Sequence, residues 1–487
     1  MIGRCTFARA GIEEAHVARF MQTMQNKGVN LHSVLMLRGN DIFFERYFEP
    51  FTPQTPHRMY SITKSFVSIA IGCLIDEGKL HLDDRICDFF KDKLPPEVPA
   101  LLQEQTVRDM LTMRTCFAKD GWFRPDVQDR LRYYFGRKPD KPAGTVFYYD
   151  STGSYVLGTL VERVSNMGLL EYLKTKVLDH LGGFESAQLL KTPDGTPWGD
   201  SALICTPQAL MRFARFVMNY GVWDGRRLLS ESYLRAATGC QTDNDVVGAR
   251  HYDSCGYGYQ IWRTYQDSFA FYGMGGQFAI CVPDKDFIFV CTGDDQLTGK
   301  VDNPAIFDAV FDLIVDNLDG GARLPAFDLD APLHLSVARG AAQSEFERQI
   351  HGARFDCQEN AMGIRWFRLE FEAGQGCFVY ENDQGEKRLP FGMGSNWFGP
   401  FPQAGYSDEY GNVHVMDDFR YRCAVSAGWV ETQKLQIRVQ ILDRYFGLLV
   451  ITLGFRDERT AGVCMSKSAE DFLGEYEGWA IARRASV

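Results

Sequence analysis

The first fifty residues carry two different hydrophobic patterns. Apolar positions recur at helical spacing over residues 12–27, whereas LHSVLMLRG and DIFFERYF are short apolar runs typical of strands. The pair Gly39-Asn40 separates those two runs and is a turn signal. We therefore predict a helix followed by a hairpin at the edge of an antiparallel sheet.

The next two hundred and fifty residues are mainly helical and then return to strands. A long helix is predicted over 61–76, with Asp76-Glu77-Gly78 at its end. Further helical patterns cover 106–113, 151–164, 169–180, 207–220 and 230–237. Strand patterns follow at 257–265, 268–272, 278–282 and 287–292. This order predicts an α+β domain whose single sheet takes strands from both ends of the segment.

A change of pattern marks a domain boundary. After a helical segment at 304–318, two prolines and several aspartates interrupt the periodicity, and this places a linker at 324–332. The predicted domains are therefore 1–323 and 333–487. Short strand patterns with turn residues between them fill the second domain, which predicts an antiparallel β-barrel or sandwich; they lie at 363–372, 377–382, 421–431, 433–441, 447–455 and 460–466.

Composition narrows the class of protein. The 487 residues contain 52 Lys+Arg and 63 Asp+Glu, and the resulting net charge of -11 disfavours binding to nucleic acid. With 45% hydrophobic and 24% charged residues, the chain has the composition of an ordinary globular protein in water. Small molecules are the expected partners.

Local signals for export, membrane insertion and metal binding are absent from the sequence. The amino terminus lacks a continuous apolar segment, and the apolar stretches at 66–75 and 445–455 are shorter than the ~20 residues of a membrane helix. The 13 cysteines form no CxxC pair, and the 9 histidines show no HxH or HxxxH spacing. We therefore expect a cytoplasmic protein with reduced thiols, no membrane contact, no metal and no cofactor.

The segment Ser61-Ile62-Thr63-Lys64 opens the longest predicted helix, and its spacing places Lys64 on the same face as Ser61. A serine hydroxyl is a weak nucleophile unless a base takes its proton, and a lysine serves as that base only where its neutral form is favoured. The positive end of the helix dipole favours a developing anion at Ser61. The alternative is that Ser61 only caps the helix, because about one SxxK is expected by chance at this length.

Five segments, in a fixed order, carry a resemblance to a known family: HRMYSITKSFVSIAIGCLIDEGKLHLDDRI, TVRDMLTMRT, PAGTVFYYDSTGSYVLGTLVERVS, LICTPQALMRFARFVMNYGVWDGRRLLS and FYGMGGQFAICVPDKDFIFVCTG. Over residues 10–318 the chain resembles the serine hydrolases that share the fold of class C beta-lactamases and DD-peptidases. Esterases and 6-aminohexanoate-dimer hydrolases of that fold look most similar. The resemblance implies an antiparallel sheet flanked by helices, with Ser61 as the residue that is acylated.

The third segment resembles the family's Tyr-x-Asn motif, with Tyr149-Asp150-Ser151 in its place. The resemblance implies that Tyr149 is a second acid/base, which moves the proton of Ser61 to the leaving group and later activates water. Tyr148 takes that position if the register shifts by one residue, and a core aromatic is the structural alternative. Ser151 replaces the asparagine and would contact substrate or Lys64, or else cap the following helix.

The fifth segment departs most from the family. Met274 stands where a Lys-Thr-Gly or His-Thr-Gly triad has its cation. A fixed positive charge there helps to bind the carboxylate of a beta-lactam or of a peptide terminus, so its loss argues against such substrates. The resemblance implies close backbone approach at Gly276 and an oxyanion hole formed by the amides of Gln277 and Ser61. A tight hairpin turn is the alternative interpretation of these glycines.

The sequence therefore predicts a two-domain SxxK serine hydrolase of carboxylesterase or amidase type. It would cleave a small ester or linear amide through an acyl-Ser61 intermediate. The second domain resembles the lipocalin-like β-barrels appended to some members of the family. Two alternatives stay open, namely a catalytically silent binding protein, which Met274 favours, and a peptidase acting on D-amino-acid peptides. Homo-oligomer formation also stays open.

Overall fold

The computed structural model describes residues 2–119, 127, 129–192, 194–245, 248, 251–296, 299–321, 333–407, 416–469 and 472–486. The chain divides into two compact units, Met1–His334 and Leu335–Val487. The predicted linker at 324–332 lies outside the described residues, so the domain limits 1–323 and 333–487 stay predictions. Within the described residues, no helix combines the length and the apolar character that crossing a bilayer requires.

The first unit contains helices α1–α12. These are α1 (Phe7–Ala10), α2 (Glu14–Lys27), α3 (Ile62–Asp76), α4 (Ala100–Gln103), α5 (Val107–Leu111), α6 (Arg130–Phe135), α7 (Ser151–Ser165), α8 (Leu169–Leu173), α9 (Asp179–Leu181), α10 (Pro207–Met218), α11 (Glu231–Thr238) and α12 (Gly299–Ala309). A π-helical turn, Lys174–Leu178, joins α8 to α9. The long predicted helices are therefore present, and most of their ends shift by one or two residues. The helix predicted over 304–318 instead begins at Gly299 and continues after Ala309 as a π-helical and a 3₁₀ turn.

The same unit contains strands β1–β12. These are β1 (Gly3–Arg4), β2 (Leu31–Arg38), β3 (Asp41–Tyr47), β4 (His57–Arg58), β5 (Gln188–Leu189), β6 (Leu203–Cys205), β7 (Val222–Trp223), β8 (Arg226–Arg227), β9 (Trp262–Arg263), β10 (Phe269–Gly273), β11 (Gln277–Val282) and β12 (Phe287–Gly293). The central sheet has the order β1-β3-β2-β12-β11-β10-β9. The β2–β3 hairpin thus pairs with β12, and one sheet joins strands from both ends of the unit as predicted.

Helices cover both faces of this sheet. Phe20 of α2 meets Phe289 of β12 edge to face at 5.4 Å, and Phe213 of α10 lies 5.4 Å from Phe271 of β10. Directly paired residues of neighbouring strands point to the same face of a sheet. Phe271 pairs with Ala279, and Ala279 pairs with Val290, which is the residue next to Phe289. The two phenylalanines of the sheet therefore point to opposite sides. This explains why β12 is buried along its whole length.

One predicted strand is largely wrong. The pattern at 257–265 predicts nine extended residues, but only Trp262 and Arg263 form a strand. Gln260 breaks the run because its backbone is left-handed, with φ 58°. Its buried amide donates to the carbonyl of Met110, and its backbone N–H donates to the carbonyl of Leu111. Contacts with α5 therefore override the local strand preference.

The second unit is a β-barrel with one short helix, α13 (Glu347–Ile350). Its strands are β13 (Arg354–Cys357), β14 (Trp366–Glu372), β15 (Gln375–Asn382), β16 (Gly385–Met393), β17 (Trp397–Pro400), β18 (Arg422–Glu431), β19 (Lys434–Ile441), β20 (Gly447–Asp457), β21 (Thr460–Ala469) and β22 (Gly478–Arg484). Nine of these described strands form a closed ring, because β16 pairs in parallel with β18, while the other neighbours in the ring are antiparallel. The predicted barrel is confirmed.

Four of the barrel strands, β13, β16, β17 and β22, fall outside the strand patterns of the sequence. In β22 the inward positions are the small residues Ala480 and Ala482, whereas Trp479 and Ile481 point outward and are 76% and 52% exposed. The apparent hydrophobic face of this strand is therefore the solvent face. Strand β16 contains Pro390, which normally indicates an edge or a break.

Two buried histidines of the first unit, His32 and His57, lie in contact with each other. Nδ1 of His32 and Nε2 of His57 lie 3.1 Å apart, and Nδ1 of His57 lies 3.3 Å from the carbonyl of Thr55. Phe51 stacks on His32 at 4.0 Å. Burial lowers the pKa of His57 to about 4, because no water is available to solvate an imidazolium.

We expect the free energy of unfolding to fall as the pH is lowered from about 6.5 towards about 4. In this window the unfolded state takes up a proton at His57 that the folded state excludes, at a cost of up to about 3 kcal/mol. Urea titrations of wild type and His57→Gln between pH 7.5 and 4.5 measure this effect. The variant should show a shallower loss of stability, and exposed His180→Gln is the control. Equal pH slopes for wild type and His57→Gln would contradict the assignment.

Candidate active site

The nucleophile segment is held between two elements before it enters α3. Strand β4 pairs with β6, and the backbone N–H of Met59 donates to the carbonyl of Leu203 at 2.7 Å. Tyr60 then adopts a left-handed backbone, with φ 46°, while its side chain is buried. Such a conformation costs on the order of 1–3 kcal/mol and occurs mainly at functional sites. The result is a sharp turn that places Ser61 at the start of α3.

The side chain of Ser61 faces Lys64. Ser61 occupies the N-cap position of α3, yet its hydroxyl makes no capping hydrogen bond. Instead, Nζ of Lys64 donates to Oγ of Ser61 at 2.9 Å and to the backbone carbonyl of Asp200 at 2.8 Å. Lys64 is only 1% exposed. The hydroxyl of Ser61 therefore contacts Lys64 and does not cap the helix.

The carbonyl partner of Lys64 depends on a close approach between a loop and α7. A Cβ atom on Gly158 of α7 would lie 3.1 Å from Cα of Gly199, and the reverse substitution would meet the same limit. Larger residues at either position would push the loop outward. Since Asp200 follows Gly199 directly, this pair of glycines sets where the Asp200 carbonyl meets Lys64.

Tyr149 lies next to the same amine. Its ring centroid is 5.1 Å from Nζ of Lys64, and the ring stacks on Trp262 at 5.2 Å with an interplanar angle of 24°. Tyr149 and Ser61 both line one cleft. The neighbouring Tyr148 is not among the lining residues, and its backbone N–H donates to the carbonyl of Met113. The geometry thus places Tyr149, in the predicted register, beside Ser61 and Lys64.

Asp150, the central residue of the Tyr149-Asp150-Ser151 motif, has a structural role. Asp150 is the N-cap of α7, and its carboxylate accepts from the N–H of Gly153 at 3.2 Å and from the hydroxyl of Thr115 at 2.8 Å. The helix is therefore capped by Asp150 and not by Ser151. Ser151 is the first residue of α7 and does not line the cleft.

The glycine-rich segment forms the hairpin between β10 and β11. Gly273 pairs with Gln277, and Gly276 has a left-handed backbone, with φ 80°. A Cβ on Gly273 would lie 2.2 Å from the carbonyl of Met59, so the hairpin packs directly on the segment that precedes Ser61. Both interpretations of these glycines, a hairpin turn and a close backbone approach, apply here.

The side chain of Gln277 braces this hairpin from inside. It is fully buried, and its Nε2 donates to the carbonyls of Gly275 and Gly293 at 2.8 Å each. Because these bonds occupy the amide group, the side chain of Gln277 is not available to a substrate. Neither Gly276 nor Gln277 is among the lining residues of the cleft.

The cleft has a volume of about 740 Å³. Its lining residues are Ser61, Tyr149, Asp253, Trp262, Tyr272, Met274, Gly275, Asp295, Gln296, Gly299, Lys300, Val301 and Asn303. The sequence interpretation missed the aspartates, Trp262 and the residues of α12. One available signal was the pair Asp294-Asp295, which follows the apolar strand β12 directly. Within the described residues, no three His, Cys, Asp or Glu side chains are grouped to hold a metal ion.

Asp295 has the most unusual charge environment in the cleft. Burial raises its pKa to about 7, and the nearby carboxylates of Asp302 and Asp294 add to the shift. Among the residues that the structure describes, its Oδ2 atom has no hydrogen-bond partner. A carboxyl group in this state is a candidate functional group, since structural carboxylates are normally paired.

Several known proteins are similar to this chain. A curated 6-aminohexanoate-dimer hydrolase from Paenarthrobacter ureafaciens is 24% identical over 279 residues, which cover 53% of this chain and 70% of that protein. A solved penicillin-binding protein homologue from Caulobacter crescentus is 18% identical with a TM-score of 0.50, over 64% of this chain and 99% of that one. The structure of SurE with D-Leu is 17% identical with a TM-score of 0.51, over 97% of this chain and 99% of that one.

The solved structures at this level of identity support the fold. The family is identified by a separate match, because the family model for beta-lactamases aligns with residues 14–310, which is more than half of the chain. That range contains Ser61, Lys64, Tyr149 and the glycine hairpin. The chain therefore belongs to the beta-lactamase family.

Proposed function

We propose that this protein is a serine hydrolase that cleaves a small ester or linear amide through an acyl-serine intermediate on Ser61. The observation that carries the proposal is the 2.9 Å hydrogen bond between Nζ of Lys64 and Oγ of Ser61. A nucleophile within hydrogen-bond reach of a candidate base, at the edge of an open cleft, is the arrangement that acyl transfer requires.

Acylation would proceed as follows. Oγ of Ser61 attacks the substrate carbonyl while the neutral amine of Lys64 takes the hydroxyl proton. The backbone N–H groups of Ser61 and Gln277 would stabilise the negative oxygen that forms. The carbonyl carbon then loses its bond to the leaving alcohol or amine, which receives a proton through Tyr149. Ser61 is left as an ester of the acyl group.

Deacylation would reverse these roles. As water attacks the acyl ester, Tyr149 would take a proton from the water and pass its own hydroxyl proton to the amine of Lys64. The carboxylic acid leaves, and Oγ of Ser61 recovers its proton from Lys64. The position of the Tyr149 ring, 5.1 Å from Nζ of Lys64, supports this shared proton route. No cofactor is needed for either half of the reaction.

Met274 bears on the substrate class. It is 42% exposed on the hairpin and lines the cleft at the position where the family resemblance expects a cation. Without that charge, a substrate carboxylate lacks its usual partner. Small esters and linear amides are therefore the proposed substrates, and the 6-aminohexanoate-dimer hydrolase relative is consistent with the amide option.

We expect efficient hydrolysis of a short-chain p-nitrophenyl ester and little hydrolysis of benzylpenicillin. Met274→Lys should lower the inhibition constant of benzylpenicillin by about ten- to hundredfold, because it adds a charged hydrogen bond to the carboxylate. Met274→Gln, which adds a polar group without charge, is the control. Steady-state assays on both compounds measure these effects. Efficient penicillin turnover by the wild type would contradict the proposed substrate class.

The silent binding protein is the competing function, and the same methionine favours it. A binding protein would retain the cleft but would turn over neither ester nor amide. The ester assay therefore separates the two functions directly.

A further inference from the structure

Two buried acceptor atoms in the cleft have no partner among the residues that the structure describes. Within that part of the chain, Oδ2 of Asp295 and Oδ1 of Asn303 make no hydrogen bond, although the two residues are only 3% and 5% exposed. Nδ2 of Asn303 donates to the hydroxyl of Tyr272 at 2.8 Å, and this bond orients the amide so that Oδ1 remains the acceptor. Buried polar atoms nearly always have partners, so these two acceptors can accept hydrogen bonds from a bound molecule.

The Asp295 carboxyl group lies against the glycine hairpin. A Cβ on Gly276 would be 3.1 Å from Oδ2 of Asp295, and a Cβ on Gly299 would be 3.3 Å from its Oδ1. The backbone N–H of Asp295 donates to the carbonyl of Gly275 at 3.3 Å. The carboxyl group is therefore held next to the hairpin that carries Met274. At this end of the cleft, an acidic group is present and the expected cation is absent.

The surroundings of this carboxyl group suit a positive charge. Trp262, Tyr272 and Tyr149 supply aromatic surfaces on the same cleft, and aromatic faces attract cations. Lys300 also lines the cleft but is solvent-exposed, and within the described residues it forms no ion pair with Asp295. Within the described residues, the carboxyl group of Asp295 therefore has no cationic partner that would compete with a bound amine.

We propose that Asp295 and Asn303 form a subsite, which we call the amine subsite, for a protonated amine on the ester or amide substrate. An ammonium group supplies three N–H donors and no acceptor, which matches two unpartnered acceptors. Nε2 of Gln296, an unpartnered donor on the same cleft, would bind a carbonyl of such a substrate. The inference rests on the proposed function and refines it, from a small ester or amide to an aminoacyl ester or amide.

Two substrates of equal length test the amine subsite. The p-nitrophenyl esters of 6-aminohexanoic acid and heptanoic acid differ only in the terminal group, which is an ammonium in one and a methyl in the other. We expect kcat/KM to be about ten- to hundredfold higher for the amino ester after correction for spontaneous hydrolysis. Asp295→Asn should reduce this ratio towards one. Asp284→Asn, in the exposed turn Pro283–Lys285, should leave the ratio unchanged.

The outcomes separate the amine subsite from the proposed function. If neither ester is hydrolysed, the proposed function fails. If both esters are hydrolysed equally well by the wild type, the hydrolase is supported and the amine subsite is overturned. An Asp295→Asn variant that is folded and keeps the wild-type ratio would also overturn it.

A measurement on the wild type covers the case in which Asp295→Asn does not fold. Because the pKa of Asp295 is raised to about 7 while an aliphatic amine stays protonated to about pH 10, the ratio of the two esters should rise severalfold from pH 6 to pH 8. The ratio cancels titrations that affect both esters equally. The other titratable groups around the subsite include Asp294, Asp302, Asp253, Lys300, Cys291, Tyr149, Tyr252 and Tyr272. A ratio that is flat between pH 6 and pH 8 would overturn the proposal.

Discussion

Ser61→Ala and Lys64→Ala should each reduce kcat/KM for a short-chain p-nitrophenyl ester by on the order of 10⁴-fold or more. The first variant removes the attacking oxygen, and the second removes the amine that lies 2.9 Å from it. Because the two groups act as one unit, the double variant should be no less active than the more damaged single variant. Steady-state assays measure the three values.

Labelling with a fluorophosphonate gives an independent readout of the nucleophile. The wild type should carry the adduct on Ser61, Ser61→Ala should carry none, and Lys64→Ala should react much more slowly. An unlabelled Ser61 in folded wild-type protein would favour the silent binding protein. Near-wild-type activity of either single variant would contradict the assigned pair.

Matched controls are available on and beside the same helix. Ser65 lies on α3, but its hydroxyl donates to the carbonyl of Gln260 at 2.7 Å and is not in the cleft. Ser65→Ala should cost about 1 kcal/mol of stability and leave the chemistry intact. Lys79→Ala removes a half-exposed lysine that pairs with Glu77 and should change neither property measurably. Lys64→Met keeps the length of the side chain, so it separates loss of the base from loss of packing.

Tyr149→Phe is expected to reduce kcat by about 10²- to 10⁴-fold while changing KM little. The substitution removes only the hydroxyl, because a phenylalanine ring can keep the stacking on Trp262 and the contact with Lys64. Substrate contacts with the ring are therefore retained, and only the proton route is lost. Steady-state kinetics over a pH series, with the ester used for Ser61, measure the effect.

Tyr148→Phe is the control for this prediction, since the two tyrosines are neighbours and only Tyr149 lines the cleft. The control should keep most of the activity. If Tyr148→Phe is inactive and Tyr149→Phe is active, the register of the motif is wrong by one residue. If both variants are active, neither Tyr148 nor Tyr149 is the acid/base of the mechanism.

Local patterns were sufficient for the elements whose apolar residues are regularly spaced or form a continuous run. Helix α3 was predictable because its hydrophobic residues recur at helical spacing over fifteen positions. The β2–β3 hairpin was predictable because Gly39-Asn40 separates two apolar runs. Most barrel strands were predictable for the same reason. The parallel pairing of β16 with β18, which closes the barrel, was not predictable. Pairing between distant strands leaves no mark on the local period.

Some residues of the candidate site could likewise be predicted from local spacing, and others could not. Ser61 and Lys64 are three residues apart on one helix, so the sequence alone predicted that their side chains meet. Tyr149 could be selected only through the family resemblance, because its distance from Lys64 depends on how the start of α7 packs beside α3. Helical spacing carries no information about packing between segments that are more than eighty residues apart.

Asp295 illustrates what only the tertiary structure decided. In the sequence, Asp294-Asp295 is an acidic pair after a strand, and such pairs usually lie in solvent. The fold instead buries Asp295 between the glycine hairpin and the start of α12, and it leaves one carboxylate oxygen without a partner. Periodicity reports which residues of one element share a face. Burial, pKa and unpartnered atoms depend on what other elements bring to that face, and this was determined only when the chain folded.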